Sequence, residues 1–190
     1  DLLPTLRSEL SAVKGGFDLG LRRDLCIGSH PYDVAFAPNS QTLAVSSFFP
    51  NDAGYIEIRL IDIRSGVVSR TLNVTAHHEW EKNADGRRDA AWSIAFDSHQ
   101  RYVVAGTRSG KVIVWDLHLS QSSPLHEWTH IDSPKKHDSG KHLRVSRCGF
   151  DEQHRLWTEN DGAVAVWDPD QEWKLVEQHT GFMTRPTTGA

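Results

Sequence analysis

The chain has 190 residues, 38% hydrophobic and 24% charged, with a formal net charge of -4. This balance excludes a disordered chain and suits a domain that buries its own core. The basic doublets Arg22-Arg23, Arg87-Arg88 and Lys135-Lys136 are scattered, so nucleic-acid binding, which needs concentrated positive charge, is not favoured.

No apolar run approaches the length of a membrane span, and the N-terminus lacks the apolar stretch of a signal peptide. No membrane association is therefore expected. Because the sequence begins at Asp1, it is read as a processed or excised piece, which leaves an upstream signal open. Cys26 and Cys148 cannot build a disulfide framework. They point to two packed thiols in an intracellular protein, cytoplasmic or nuclear.

In chain order, residues 1–14 read as one amphipathic helix. Leu2, Leu3, Leu6, Leu10 and Val13 share a stripe, and Gly15-Gly16 supply the stop. Residues 15–28 form a linker that can supply a closing strand. After Gly16, short runs rich in Val, Ile, Phe and Trp alternate with Gly, Asp, Asn, Ser and Pro, which predicts many short strands.

Three stretches then repeat one grammar, with boundaries at 29–75, 90–132 and 142–179, before a tail at 180–190. A strand ends in small-Phe (Ala35-Phe36, Ala95-Phe96, Gly149-Phe150), and a second strand ends in Ser or Thr (Ser46, Thr107, Thr158). A tight polar-Gly turn (Ala53-Gly54, Ser109-Gly110, Asp161-Gly162) leads to a third strand ending in Ile61-Asp62, Trp115-Asp116 or Trp167-Asp168. Fourth strands are predicted from Val67 to Val74, Leu125 to Ile131 and Trp173 to Gln178. Self-similarity of this kind marks a repeat architecture.

The repeated turn, alternating strand and terminal Trp-Asp resemble the blades of WD-repeat β-propellers, over residues 28–179. The resemblance implies an all-β fold of about three four-stranded blades, an incomplete ring. The repeat spacing exceeds the usual ~40–45 residues of a WD blade, and the excess sits at 48–54, 75–90 and 132–142. In this family a hydrogen-bonded His, Ser/Thr, Asp and Trp set pins each blade. The resemblance assigns Thr158, Asp161, Trp167 and His142 to it in the third unit, and Thr107 and Trp115 in the second, where Ser109 replaces the Asp; Asp116 and Asp168 close the third strands. The first unit has Ile61 in place of Trp, with Ser46 and His30 as partial matches. Its opening, His30-Pro31-Tyr32, also resembles lactonase-type propeller repeats.

Catalytic motifs do not gather. His126-Glu127-Trp128-Thr129-His130 matches a zinc-protease string, which binds metal only on a helix. On the predicted strand, positions four apart lie about 13 Å from each other. His77-His78 with Glu79 and Glu81 reads as a solvated loop. No phosphate loop or nucleophile elbow is present. No cofactor, metal site or catalytic residue is therefore assigned.

The expected function is a non-catalytic protein–protein interaction scaffold. Its partner-binding rim is placed on the inserted loops, at Trp80, Arg87, Arg88, Lys135 and Lys136. The alternatives are a lactonase-type hydrolase, from His30-Pro31-Tyr32, and a cullin ubiquitin ligase substrate receptor, from Ile61-Asp62-Ile63-Arg64. Propellers close with about four to eight blades, so further blades or self-association are expected to complete the ring.

Overall fold

Apolar side chains recurring at every second position set the architecture, because alternate residues of a strand face opposite sides of its sheet. The computed structural model describes residues 31–47, 56–73, 90–130, 144–160 and 162–180. They form three four-stranded antiparallel sheets, each a simple meander. The first blade holds β1 (Pro31–Phe36), β2 (Thr42–Ser47), β3 (Glu57–Asp62) and β4 (Val68–Asn73). The second holds β5 (Ala91–Phe96), β6 (Tyr102–Thr107), β7 (Lys111–Asp116) and β8 (His126–Thr129). The third holds β9 (Arg147–Phe150), β10 (Leu156–Asn160), β11 (Ala163–Asp168) and β12 (Lys174–Thr180). The expected four-stranded blades and their strand order are all present. The expected helix at 1–14, the linker at 15–28 and the tail beyond Thr180 lie outside the described residues.

The blades stack face to face in sequence order, with β1 beside β5 and β5 beside β9. Between the first two, Ala44, Ile58, Leu60 and Leu72 meet Ile94, Val103, Ile113 and Trp115. Between the second and third, Val104, Val112 and Val114 meet Val145, Leu156, Ala165 and Trp167. Each fully buried large side chain here contributes roughly 1.5–3 kcal/mol. On the first blade Phe36 stays 65% exposed and Val34 46%. The three blades are thus an arc of a propeller.

Polar links reinforce both joints. Asp33 Oδ2 accepts from the Ile94 amide at 2.7 Å, and Ser93 Oγ donates to the Val145 carbonyl at 3.4 Å. At the outer edge, the Arg70 guanidinium of β4 donates to three carbonyls of the β7–β8 connection. These are Leu117 at 3.0 Å, Leu119 at 2.6 Å, and Gln121. The Asn73 amide adds a bond to Ser122 at 3.0 Å.

The hairpin turns explain the recurrent acids. Asp62, Asp116 and Asp168 end the third strands and cap the turns that follow. They accept from the amides of Ser65 at 2.6 Å, His118 at 2.9 Å and Asp170 at 2.9 Å. Ser65, through its hydroxyl first, holds the Asp62 carboxyl below the usual carboxylate range. In the turns after the first strands, Ser40, Gln100 and His154 occupy equivalent positions with φ of 56°, 58° and 62°. The same left-handed residue in all three blades is a mark of repetition that does not depend on sequence identity.

Cys148 packs at the joint of the second and third blades, and burial pushes its thiol up to about 12. Since the thiolate is the nucleophile, a Cys26→Ser chain should resist alkylation at mildly alkaline pH and react fully once unfolded. Rapid labelling of the native chain would contradict this burial. Because the folded-state value is the raised one, the stability contribution is present below the unfolded value of 9.0 and declines from there towards about 12.

Candidate interaction site

The blade-pinning set comes first, because it fixes the frame that carries any site. In the third blade, Trp167 Nε1 on β11 donates to Thr158 Oγ1 on β10 at 2.9 Å, with both residues buried. His130, which follows β8, is 2% exposed and donates from Nε2 to the Thr158 carbonyl at 3.3 Å. Its ring stands edge-on to Trp167, with centroids 6.4 Å apart. His130 was not singled out from sequence as a pinning residue. From sequence it falls inside the fourth strand expected from Leu125 to Ile131, whereas β8 ends at Thr129. His142 and Asp161 lie outside the described residues.

The second blade is pinned differently. Thr107 Oγ1 accepts from the Lys111 amide at 3.0 Å and pairs with Ser109 Oγ at 3.0 Å. The indole N–H of Trp115 is buried and has no hydrogen-bond partner among the described residues. In the first blade, Ser46 Oγ accepts from the Asp33 amide at 3.2 Å.

The first four residues of the zinc-protease string form β8, and His130 follows it. His126 sits beside Trp173 at 6.3 Å, whereas His130 turns to Trp167 and Thr158. Among the described residues no group of three His, Cys, Asp or Glu is placed to hold a metal ion.

Strand polarity gives the arc two faces. The inner strands β1, β5 and β9 all begin on one, here the leading face, and end on the other, the trailing face. The β2–β3, β4–β5 and β8–β9 connections, which carry the insertions at 48–54, 75–90 and 132–142, all join strand ends on the leading face. The proposed rim residues Trp80, Arg87, Arg88, Lys135 and Lys136 belong to two of these connections and lie outside the described residues.

On the leading face three side chains from successive repeats come together. The β1–β2 register shifts between Pro31 and Asp33, and the β5–β6 register shifts between Ala91 and Ser93. Tyr32 and Trp92 are therefore the bulged residues of equivalent positions. A bulge takes its residue out of the ladder and re-aims the side chain. The two rings meet with centroids 5.4 Å apart. Arg144, leading into β9, lays its guanidinium 4.6 Å from the Trp92 ring centroid. Tyr32 is 40% exposed, and Arg144 is also exposed.

The trailing face has a cleft of about 270 Å³ between the second and third blades, lined by Asp97, His99, Arg101, Tyr102, His154 and Asp168 among others. Its polar groups are engaged in local structure. Asp97 accepts from the His99 and Tyr102 amides, Asp168 holds the turn at Asp170, and Arg101 pairs with Asp116 at 3.0 Å. His154 Nδ1 and Ser98 Oγ are 2.7 Å apart, and the His99 and His154 rings lie 4.2 Å apart.

No protein-family model matches the sequence, and comparison with curated proteins gives no match. Solved structures do resemble the fold. A structure of U3-55K is similar with a TM-score of 0.60 and 20% identity, covering 84% of this chain and 42% of that one. The crystal structure of RRP9 WD40 repeats is similar with a TM-score of 0.58 and 20% identity, covering 84% and 41%. Hydrazine synthase of Kuenenia stuttgartiensis is similar with a TM-score of 0.55 and 15% identity, covering 86% and 39%. The chain spans about two-fifths of the length of each. The last of these is an enzyme, so the architecture alone does not separate scaffold from catalyst. Repeated four-stranded meanders, a buried Trp–Thr bond and these structural relatives identify the fold as that of a WD-repeat β-propeller, present here as a three-blade arc.

Proposed function

We propose that this chain is a non-catalytic interaction scaffold that engages other proteins through its leading face. The observation that carries the reading is the bulge-directed meeting of Tyr32, Trp92 and Arg144 on that face. Tyr, Trp and Arg are the residue types enriched at the energetic centres of protein interfaces. The strand ends joined by the three inserted connections share the face, which supports a rim on those connections at Trp80, Arg87, Arg88, Lys135 and Lys136. In the trailing-face cleft Asp97 and Asp168 are committed to turns and Arg101 to an ion pair, which supports a non-catalytic reading. An intracellular setting, cytoplasmic or nuclear, belongs to the same proposal and rests on the two-cysteine composition with Cys148 packed as a thiol.

The test is quantitative affinity capture with the whole chain as bait. A Trp80→Ala/Arg87→Ala double variant should lose partners by roughly tenfold or more, the scale of a disrupted interface centre. Its circular dichroism and unfolding midpoint should match the parent. An unchanged set of captured proteins would overturn the placement of the rim.

A further inference from the structure

We propose that the Tyr32–Trp92–Arg144 cluster recognises an acidic segment of a partner protein, with the Arg144 guanidinium taking an Asp or Glu carboxylate. This rests on the scaffold reading and specifies the chemistry of its partner.

The charge state of the cluster comes first. Among the described residues, no carboxylate forms an ion pair with Arg144, whose guanidinium lies over the Trp92 ring. Asp33, next to Tyr32 on β1, has its Oδ2 engaged by the Ile94 amide. Stacking covers one face of a guanidinium and leaves the N–H donors at its edge free. Those donors form the planar fork that matches a carboxylate bidentately. The ring also restricts the side chain before binding, so less rotamer freedom is lost when the partner arrives.

The second part is what flanks the charge. Tyr32 presents an exposed aromatic ring with a hydroxyl at its tip. Trp92 is half-buried beneath its two neighbours. An acidic side chain next to an apolar one fits this pairing of one cation with one aromatic edge. A single-stranded nucleic acid fits it poorly. Base stacking needs an open aromatic face, and the Trp92 ring already has Tyr32 and Arg144 against it. Backbone tracking needs a run of cations, and the chain carries a net charge of -4.

The third part is repetition. Tyr32 in β1, Trp92 in β5 and Ser146 just before β9 stand at equivalent positions, each four residues ahead of the Phe that ends the inner strand. Ser146 is tied back to the Glu159 carbonyl through its amide at 2.9 Å. Arg144, two residues earlier, reaches Trp92 instead. The third blade therefore contributes a cation where the first two contribute rings.

The experiment is fluorescence anisotropy with the full chain and three labelled probes. These are a short peptide of Asp, Glu, Leu and Phe, the same peptide with Lys at every acidic position, and an oligouridine of similar length. The acidic peptide should bind saturably, weaken as salt is raised, and bind at least about tenfold more tightly than the Lys peptide. Arg144→Ala should weaken it by about tenfold, the scale of losing one charge-assisted bidentate pair. Arg144→Lys should recover part of the loss, because it restores charge without the planar fork. Arg101→Ala, on the trailing face, should leave binding unchanged. Arg144 is exposed, so its variants should unfold at the parent's urea midpoint. Equal binding of the two peptides, indifference to Arg144→Ala, or tighter binding of oligouridine would each overturn the inference. If those results came while Trp80→Ala/Arg87→Ala still lost captured partners, the acidic-segment inference would fall and the scaffold reading would stand.

Discussion

Replacing Gly106 with Ala is expected to destabilise the chain by about 2–3 kcal/mol, the upper range for overpacking a well-filled core. Gly106 lies on β6, and a methyl group there would sit 2.4 Å from Val145 Cγ1, 2.7 Å from Val145 Cβ and 2.6 Å from Ser93 Oγ. All three contacts are far inside van der Waals distance, and the neighbours have little room to give. Val145 is fully buried, and its amide is held by the Thr107 carbonyl at 3.0 Å. The second and third blades must therefore separate along the joint where Val104, Val112 and Val114 pack. Urea unfolding monitored by tryptophan fluorescence checks this, with a lower midpoint as the expected result. Val145→Ala in the same chain removes the nearest clashing atom. The double variant should then be less destabilised than the sum of the singles, a coupling expected only of residues in contact. An unshifted midpoint for Gly106→Ala, or strict additivity, would show that the joint is looser than the structure has it.

The second large effect separates two tryptophans that the sequence makes look alike. Trp167→Phe should cost about 3 kcal/mol, because it removes buried ring volume and also strands the Thr158 hydroxyl in the core. Trp115→Phe should cost less, about 1–2 kcal/mol, from volume alone. Among the described residues the Trp115 indole N–H has no partner to lose, whereas Trp167 donates to Thr158 at 2.9 Å. Thr158→Val isolates the polar part. It leaves the Trp167 N–H buried and unpaired, at about 1–3 kcal/mol. Equal costs for the two tryptophan variants would mean that the hydrogen bond contributes nothing net.

These two residues also show how far the sequence could be read. The strand–turn–strand grammar rests on period-two alternation and turn chemistry, both local. The β7 strand at Lys111–Asp116 and the β11 strand at Ala163–Asp168 accordingly match their expected bounds. The terminal aspartates were legible as repeats, and the structure supplies their reason as turn caps. The role of His130 was not legible, because its partners Thr158 and Trp167 lie on the next blade. The Tyr32–Trp92–Arg144 cluster was hidden for two reasons. A bulge has no compositional mark, so Tyr32 and Trp92 read as ordinary members of their strands. The contacts also cross between repeats, and a scan along the chain cannot weigh them.

The outer grip of Arg70 on the Leu117, Leu119 and Gln121 carbonyls bears on how the leading face works. Asp33 fastens the same two blades near the propeller axis, through the Ile94 amide. A joint fastened at two radii cannot swing about either, so the first and second blades move as one lever. The gap between Tyr32 and Trp92 is then a fixed span. Loosening Arg70 would let that span breathe, and under the proposed recognition affinity for an acidic segment should fall although none of Tyr32, Trp92 and Arg144 had changed.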